Sequence, residues 1–345
     1  MERILITGGA GFMGQHLANY LVQQNESVRS VDIRHENTPS MADGLERIKL
    51  DILDSISVTR AIEGCDVVVH NAALVPLTRA GQAFWDVNVE GTRNVLEASL
   101  NCGVRKVIYI SSSSVYGLPK IMPLTESAHL SPFGDYGKSK HAGEAVCRNF
   151  MELGLDITIL RPRTILGPGR LGILSILFEQ IARGRRMFIL GSGGNKFQLV
   201  SVHDMASAIY LAATKPCRNE EFNVGAQEFN SLRTDLESLV NHAGTRTRII
   251  SLPSRPIRPL LKLQEMLRLG PFVDYHYHVI THDVVFSTDK ISQMLGWHSE
   301  YSNADMLSET YDWYVNKGHL SNSGGMSPHT KGVKGKLVGA ILRLL

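Results

Sequence analysis

Through the first half of the chain, apolar residues come in short, nearly unbroken runs set between longer stretches of mixed polarity. Residues 3–7, 28–33, 67–71, 106–110 and 156–161 are β-branched and mostly apolar throughout, the pattern of strands buried on both faces. Residues 12–24, 84–102 and 135–153 have the length and spacing of amphipathic helices. Strand and helix alternate, which predicts an α/β fold: a Rossmann-type doubly wound parallel sheet. After Arg161 the pattern loosens into Gly167-Pro168-Gly169, Gly191-Ser192-Gly193-Gly194 and a proline-punctuated stretch over 253–271. The division expected is 1–165 for the sheet domain (with later segments returning to it), 166–316 mainly for a smaller C-terminal lobe, and 317–345 for a polar linker and a basic amphipathic tail.

Composition narrows this picture. With 345 residues, 43% of them hydrophobic, the chain can bury a full core. The net charge of +3 is misleading, because Lys331, Lys334, Lys336 and Arg343 all lie in the last fifteen residues, which hold no acid. The body is therefore nearly neutral, and nothing in its charge calls for nucleic acid. Cys65, Cys102, Cys147 and Cys217 are scattered without paired spacing, which argues for a reducing compartment and against a disulfide framework or a metal cluster. The sequence opens directly into the first apolar run, with no charged leader or cleavage site, and no run reaches the roughly 20 residues that span a bilayer. A cytoplasmic body is expected. The tail, ending in Leu337-Val338-Gly339-Ala340-Ile341-Leu342-Arg343-Leu344-Leu345, has the charge and greasiness of a peripheral contact with an anionic membrane surface; it equally suits packing on the body or a partner.

Thr7-Gly8-Gly9-Ala10-Gly11-Phe12-Met13-Gly14 follows the first strand and opens a helix. Glycines here permit a tight turn and a close backbone approach, so that helix N-terminal amides can meet a pyrophosphate. Such a turn alone is weak evidence. Asp32 strengthens it: a carboxylate at the end of the second strand, 18 residues past Gly14, can accept both hydroxyls of an adenosine ribose. It would repel a 2′-phosphate, which favours NAD over NADP, although Arg34 two residues on pulls the other way.

Tyr136-Gly137-Lys138-Ser139-Lys140 sets a phenol and an ammonium one helical turn apart on one face. A phenol of pKa about 10 is a poor base at neutral pH, and a neighbouring cation favours its ionised form. Tyr136 can then take an alcohol proton while a nicotinamide takes the hydride, with Lys140 also holding the ribose. Tyr-x-x-x-Lys is common by chance, and an amphipathic helix with a half-buried tyrosine would look the same. Ser111-Ser112-Ser113-Ser114 raises its weight, since hydroxyls directly after the 106–110 strand reach the same crevice.

With these residues in place, the chain resembles the extended short-chain dehydrogenase/reductase family, in its NAD-dependent epimerase/dehydratase branch. The stretches that carry the resemblance are Thr7 to Gly14, His70-Asn71-Ala72-Ala73, Asn88-Val89-Glu90-Gly91-Thr92, residues 111–117, Tyr136 to Lys140, Leu160-Arg161-Pro162, Val202-His203-Asp204 and Leu295-Gly296-Trp297. They occur in family order over about residues 1–316. The resemblance implies catalytic roles for Ser112, Tyr136 and Lys140, Ser112 because it lies three positions before Val115. For the cofactor it implies Gly8, Gly11, Phe12, Met13, Gly14 and Asp32, with Asp51 and Ile52 near the adenine. Ala72, Ala73 and Asn88 would lie along the nicotinamide half. Ser113 and Glu126 are candidate substrate contacts, and Glu144 is structural by its place one turn past Lys140. A homodimer is implied as well.

Substrate class is less legible. Relatives acting on nucleotide-diphosphate sugars usually carry an Asn and an Arg that contact the diphosphate. Thr164 and Phe197 occupy those positions here, and a phenyl ring cannot neutralise phosphate. Arg163, Arg170 and Lys196 are nearby substitutes, and each reads equally well as a solvated surface charge. The favoured expectation is an epimerase or dehydratase working on a nucleotide sugar through a keto intermediate. The alternative is a net dehydrogenase or reductase of a hydroxysteroid-like or other apolar alcohol, which Phe197 suits. A third reading, of another class, is a catalytically silent NAD-binding regulatory module.

Overall fold

The computed structural model describes residues 2–35, 44–75, 80–118, 121–171, 174–253 and 282–318. Seven parallel strands form the main sheet: β1 (Arg3–Thr7), β2 (Ser27–Asp32), β3 (Leu45–Lys49), β4 (Val67–His70), β5 (Lys106–Ile110), β6 (Ile157–Pro162) and β10 (Glu221–Val224). Their order across the sheet is β10-β6-β5-β4-β1-β2-β3. From β1 the chain runs outward through β2 and β3, then returns to lay β4 on the other side of β1. The reversal opens a crevice at the carboxyl ends of β1 and β4, where open α/β sheets bind ligands.

Alternation along the strands builds two cores. Ile4, Ile6, Val67 and Val69 face one side, against α1 (Phe12–Gln23) and α7 (Val202–Thr214). Leu5, Val68, Val107 and Tyr109 face the other, against α2 (Ser55–Ile62), α4 (Gly91–Asn101) and α5 (Gly134–Glu152). A strand covered on both faces buries every position, as β4 does, with Val67, Val68 and Val69 apolar and His70 satisfied by Thr7 and Thr92. The predicted helix at 84–102 is composite: a short α3 (Ala83–Trp85), a π-helical stretch over Asp86–Glu90, then α4.

Residues 199–225 cross back to the sheet: β9 (Leu199–Ser201) leads into α7, which packs beside α1, and then into β10 at the sheet edge. The lobe keeps its own core. It comprises β7 (Thr164–Leu166) paired with β9, β8 (Met187–Leu190) paired with β11 (Ile249–Leu252), and the helices α6 (Leu174–Ala182), α8 (Leu232–His242) and α10 (Asn303–Trp313). Leu166, Phe178, Leu239, Met306 and Tyr311 are buried in it. A short α9 (Asp289–Leu295) carries Trp297 under α7, where the indole Nε1 donates to Asp204 O at 3.0 Å. Among the described residues no helix is long and apolar enough to cross a membrane. The basic tail lies outside the described residues.

Candidate active site

The glycine turn does what its composition allows. Gly8 has φ +69, and a Cβ there would sit 2.8 Å from Ala72 Cα. A Cβ on Gly14 would sit 2.4 Å from Gly8 O, so helix and turn touch through backbone alone. α1 starts at Phe12 with Gly11 as N-cap, no side-chain cap and no acid in its first turn. Its leading amides therefore have no side-chain acceptor, and this end of the helix suits a bound anion. Phe12 and Met13, the first helical residues, are buried behind it.

Asp32 closes the adenosine side. Its Oδ2 accepts from the Ala10 amide at 3.1 Å and from Arg34 Nη2 at 3.0 Å, and its Oδ1 accepts from the Arg34 amide at 2.9 Å and from Arg34 Nε at 3.0 Å. Burial alone would raise this carboxyl, but the Arg34 bonds and the Ala10 amide hold it below its ordinary range, so Asp32 is ionised. A ribose diol reaching Asp32 competes with Arg34, a partnership the sequence hinted at only through two-residue spacing. Leu50 N donates to Asp32 O at 3.1 Å, which draws Asp51 and Ile52 to the same end of the sheet.

A hydrogen-bond chain fixes the middle of the crevice. Thr7 Oγ1 accepts from the amides of Asn71 (3.1 Å) and Ala72 (3.0 Å), which leaves its own proton for His70 Nδ1 at 2.8 Å. Thr92 spends its proton on Asn88 O at 2.8 Å, so His70 Nε2 must donate to Thr92 Oγ1 at 3.0 Å. Burial, with Lys140 nearby, pushes His70 down to about 3, consistent with this neutral tautomer. The Asn88 side-chain Oδ1 accepts from Leu74 N at 2.8 Å, while its Nδ2 donates to Leu74 O at 3.2 Å and Ser139 Oγ at 3.0 Å. Asn88 thus ties the 71–75 loop, with Ala72 and Ala73, to the helix that bears Tyr136 and Lys140. Its amide oxygen and nitrogen both hold protein partners in this loop and helix.

On α5, Lys140 is buried, donates from Nζ to Ile110 O at 2.7 Å and lies 4.2 Å from the Tyr109 ring centroid. Burial lowers it to about 8, with Cys147 and Glu144 opposing. Tyr136 is half-buried, its ring 6.1 Å from that of Phe84. Directly after β5, the serines divide their work. Ser111 donates to Glu144 Oε1 at 2.6 Å and so belongs to the scaffold. Ser112 Oγ accepts from Ser114 N at 3.2 Å, which leaves its hydroxyl proton available to a ligand oxygen. Ser113 is buried, and so is Ser114, whose hydroxyl has no protein partner among the described residues.

Beneath the serines lies a fully buried ion pair that sequence reasoning did not find. Arg161 donates to both oxygens of Glu144 (2.8 and 2.7 Å), to Glu221 at 2.6 Å and to Tyr116 Oη at 3.0 Å. Desolvation would raise the Glu144 carboxyl, but Arg161, Ser111 and Arg148 hold it below its usual range. This anchors α5 to β5 and β6.

The proposed substrate contacts separate. Glu126 lies at the outer edge of β10, where its Oε1 accepts from Asn223 N at 2.8 Å, and it lines an open charged cleft of about 430 Å³ with Arg148, Glu221 and Lys290. Thr164 is half-buried on β7. Arg163 is buried, donates to Gln198 O at 3.1 Å, and lies 5.6 Å from the Phe197 centroid and 5.5 Å from that of Phe286. Phe286 packs on Tyr116 of the serine turn, so this aromatic group joins the serine turn to the lobe through a buried core.

A glycine turn on an uncapped helix end, an acid at the next strand and a Tyr-x-x-x-Lys helix beside a serine turn define a dinucleotide-dependent oxidoreductase site of the short-chain dehydrogenase type. Residues 4–225 match the model of the NAD dependent epimerase/dehydratase family, and the chain belongs to that family. It is an NAD-dependent enzyme of the short-chain dehydrogenase type. It is 40% identical to the uncharacterized protein y4nG of Sinorhizobium fredii, over 100% of this chain and 87% of that one. It is 30% identical to sterol demethylase protein B of Methylococcus capsulatus, over 79% of this chain and 86% of the relative. Among solved structures it is similar to a UDP-glucose 4-epimerase from Thermotoga maritima crystallised with UDP-glucose (TM-score 0.76, 25% identity, 91% of this chain and 99% of that one).

Proposed function

We propose that this enzyme is an epimerase or dehydratase of a nucleotide-diphosphate sugar, working through a keto intermediate. What supports the reading is Lys140 bonded to Ile110 O at the carboxyl end of β5, with Ser112 two residues past that strand and Tyr136 one turn before Lys140 on α5, in a chain similar along nine-tenths of its length to a UDP-glucose 4-epimerase. NAD, when bound, supplies the hydride acceptor and returns the hydride. Tyr136 accepts the hydroxyl proton, Ser112 donates to the same substrate oxygen and fixes its direction, and Lys140 biases Tyr136 toward phenolate. Because Lys140 itself titrates at about 8, that bias fades above this pH. Gly8, Gly11, Phe12, Met13, Gly14, Asp32, Asp51, Ile52, Ala72 and Ala73 would hold the dinucleotide, and Arg163 is the cation best placed to replace the arginine that Phe197 lacks.

A second reading, net oxidation or reduction of an apolar alcohol, draws on Phe197 with its aromatic neighbours and on the similarity to sterol demethylase protein B. Purifying the protein without added cofactor, denaturing it and chromatographing the released nucleotide separates the two. Retained NAD or NADH is expected for internal recycling. An empty protein that exchanges NADH freely would overturn the epimerase reading and direct the search to ketones and sterol-like alcohols.

The chain acts in this reading as a homodimer in the cytoplasm, with residues 331–345 docking on anionic membrane. Deleting them should abolish binding to anionic vesicles and leave NADH affinity unchanged; undiminished vesicle binding by the truncated protein would end that idea.

A further inference from the structure

The loop that leaves β7 crosses the first turns of α1. His16 Nε2 bonds Pro168 O at 2.8 Å, and Gly169, at φ +95, leaves room for the Phe12 ring, 3.6 Å from where a Cβ would stand. The next residue, Arg170, is thereby carried onto the first helical residue after the glycine turn, its guanidinium carbon 5.6 Å from the Phe12 ring centroid. Among the described residues this guanidinium has no carboxylate partner and no hydrogen-bond acceptor, and Tyr136 is the one ionisable group that acts on it. Burial pulls it down to about 10, a large displacement for an arginine. The fold thus holds a half-buried, forked cation on the first residue of α1 and within electrostatic reach of the proton-transfer phenol, and no carboxylate among the described residues meets it.

We propose that Arg170 grips the pyrophosphate of the dinucleotide from the lobe side, opposite the first-turn amides of α1. The site has the right chemistry on both sides: backbone donors below, and above them a guanidinium whose fork matches two phosphate oxygens. A substrate diphosphate would need a cation farther from the glycine turn, beside Phe197, where Arg163 already sits. The clamp joins lobe to sheet through the cofactor itself, so cofactor release requires the 167–170 loop to lift from Phe12. This inference rests on the dinucleotide site described above.

The test is calorimetric titration of the wild-type protein and of Arg170→Gln and Arg170→Lys, each first stripped of retained nucleotide and checked for folding, with NADH, ADP-ribose, AMP and UDP. Wild-type binding of NADH and ADP-ribose checks the cofactor site itself, independently of the clamp. Arg170→Gln should weaken NADH and ADP-ribose by on the order of 10- to 100-fold, the loss of one or two charge-assisted bonds. AMP, which lacks the pyrophosphate, should change by less than about twofold, and Arg170→Lys should fall between. Unchanged ADP-ribose affinity would overturn the proposal, and a loss confined to UDP would assign Arg170 to the substrate instead. An equal loss for AMP would overturn it too, as collapse of the whole site. Should the glutamine variant fail the near-ultraviolet circular dichroism check for folding, the lysine variant decides by the same comparison.

Discussion

The two walls of the crevice are built from different materials. On the sheet side, contact is made by backbone: glycines at 8, 11 and 14, amides at the head of α1, and the 71–75 loop held by Thr7 and Asn88. On the lobe side it is made by side chains, with Arg163 against Phe197 and Phe286, and Arg170 on Phe12. A backbone wall can recognise only what every relative shares, a pyrophosphate and two riboses, and it tolerates little change. A side-chain wall can be rewritten one residue at a time. In the reading proposed above, the first wall holds the cofactor, and the second adds Arg170 to that grip and meets the substrate near Phe197.

If the chemistry belongs to the sheet side, Tyr136→Phe should produce the largest effect. Turnover should fall by about 10²–10⁴, the usual weight of a general acid–base, while NADH affinity holds. Parallel stopped assays and NADH titrations would check this. An equal loss in both would mean that the hydroxyl serves to hold the cofactor and not to move a proton, since the variant keeps the ring beside Phe84.

Next comes the buried pair that fixes this wall. Glu144→Gln leaves Arg161 buried with a weakened partner and should cost about 3–5 kcal/mol in urea unfolding. The pH dependence has a definite sign. Glu144 is held below its unfolded value, so its contribution is complete above the unfolded carboxylate pKa of about 4.3 and is lost as pH falls through the folded value. The gap between wild type and variant should therefore be full at pH 6, begin to shrink near the unfolded pKa of about 4.3 and close only below the folded value; a gap independent of pH would remove the charge from the argument.

How much of each wall was legible follows from the same contrast. The glycine turn, Asp32 and the Tyr136–Lys140 helix are local signals, complete within a few residues, and β1, β4 and β5 beside them are nearly unbroken apolar runs. β3 went unread because, as an edge strand, it carries charge at three of its five positions, and α7 with β10 because the β-α alternation lapses between Arg161 and residue 199. The Arg161–Glu144–Glu221 cluster joins residues 17 and 60 positions apart, which no spacing rule finds. Asn88 was placed near the nicotinamide by resemblance, but its bonds to Leu74 and Ser139 depend on how the π-helical stretch meets α5. On the lobe side, Arg163, Arg170 and Lys196 look alike in sequence; only the turn at Gly169 and the packing of Phe197 distinguish the first two.

Gly14→Ala probes the backbone wall directly. Its Cβ would meet Gly8 O at 2.4 Å and Gly9 Cα at 2.7 Å, and neither is the end of a flexible side chain. Overpacking of this kind should cost about 1–3 kcal/mol in thermal or urea unfolding, with weakened NADH binding beyond that loss. Full NADH affinity in the variant would show that the turn yields, and that the two walls differ less than their geometry suggests.

The smallest effect should come from the side-chain wall. Phe197→Leu keeps an apolar group but removes the ring beneath Arg163, a loss of about 1 kcal/mol for a desolvated cation–π contact. Paired with Arg163→Met, it forms a double-mutant cycle read by urea unfolding. A coupling of about 0.5 kcal/mol or more would mean that Phe197 holds Arg163 in place, so that the ring standing where diphosphate-sugar relatives usually carry arginine still serves a cation borrowed from the end of β6. Repeating the cycle with UDP titration then reads function: non-additive losses of UDP affinity would tie that borrowed cation to a diphosphate. Coupling near zero in both readouts would leave the aromatic group as plain apolar surface, which is the wall that an uncharged, sterol-like substrate would need.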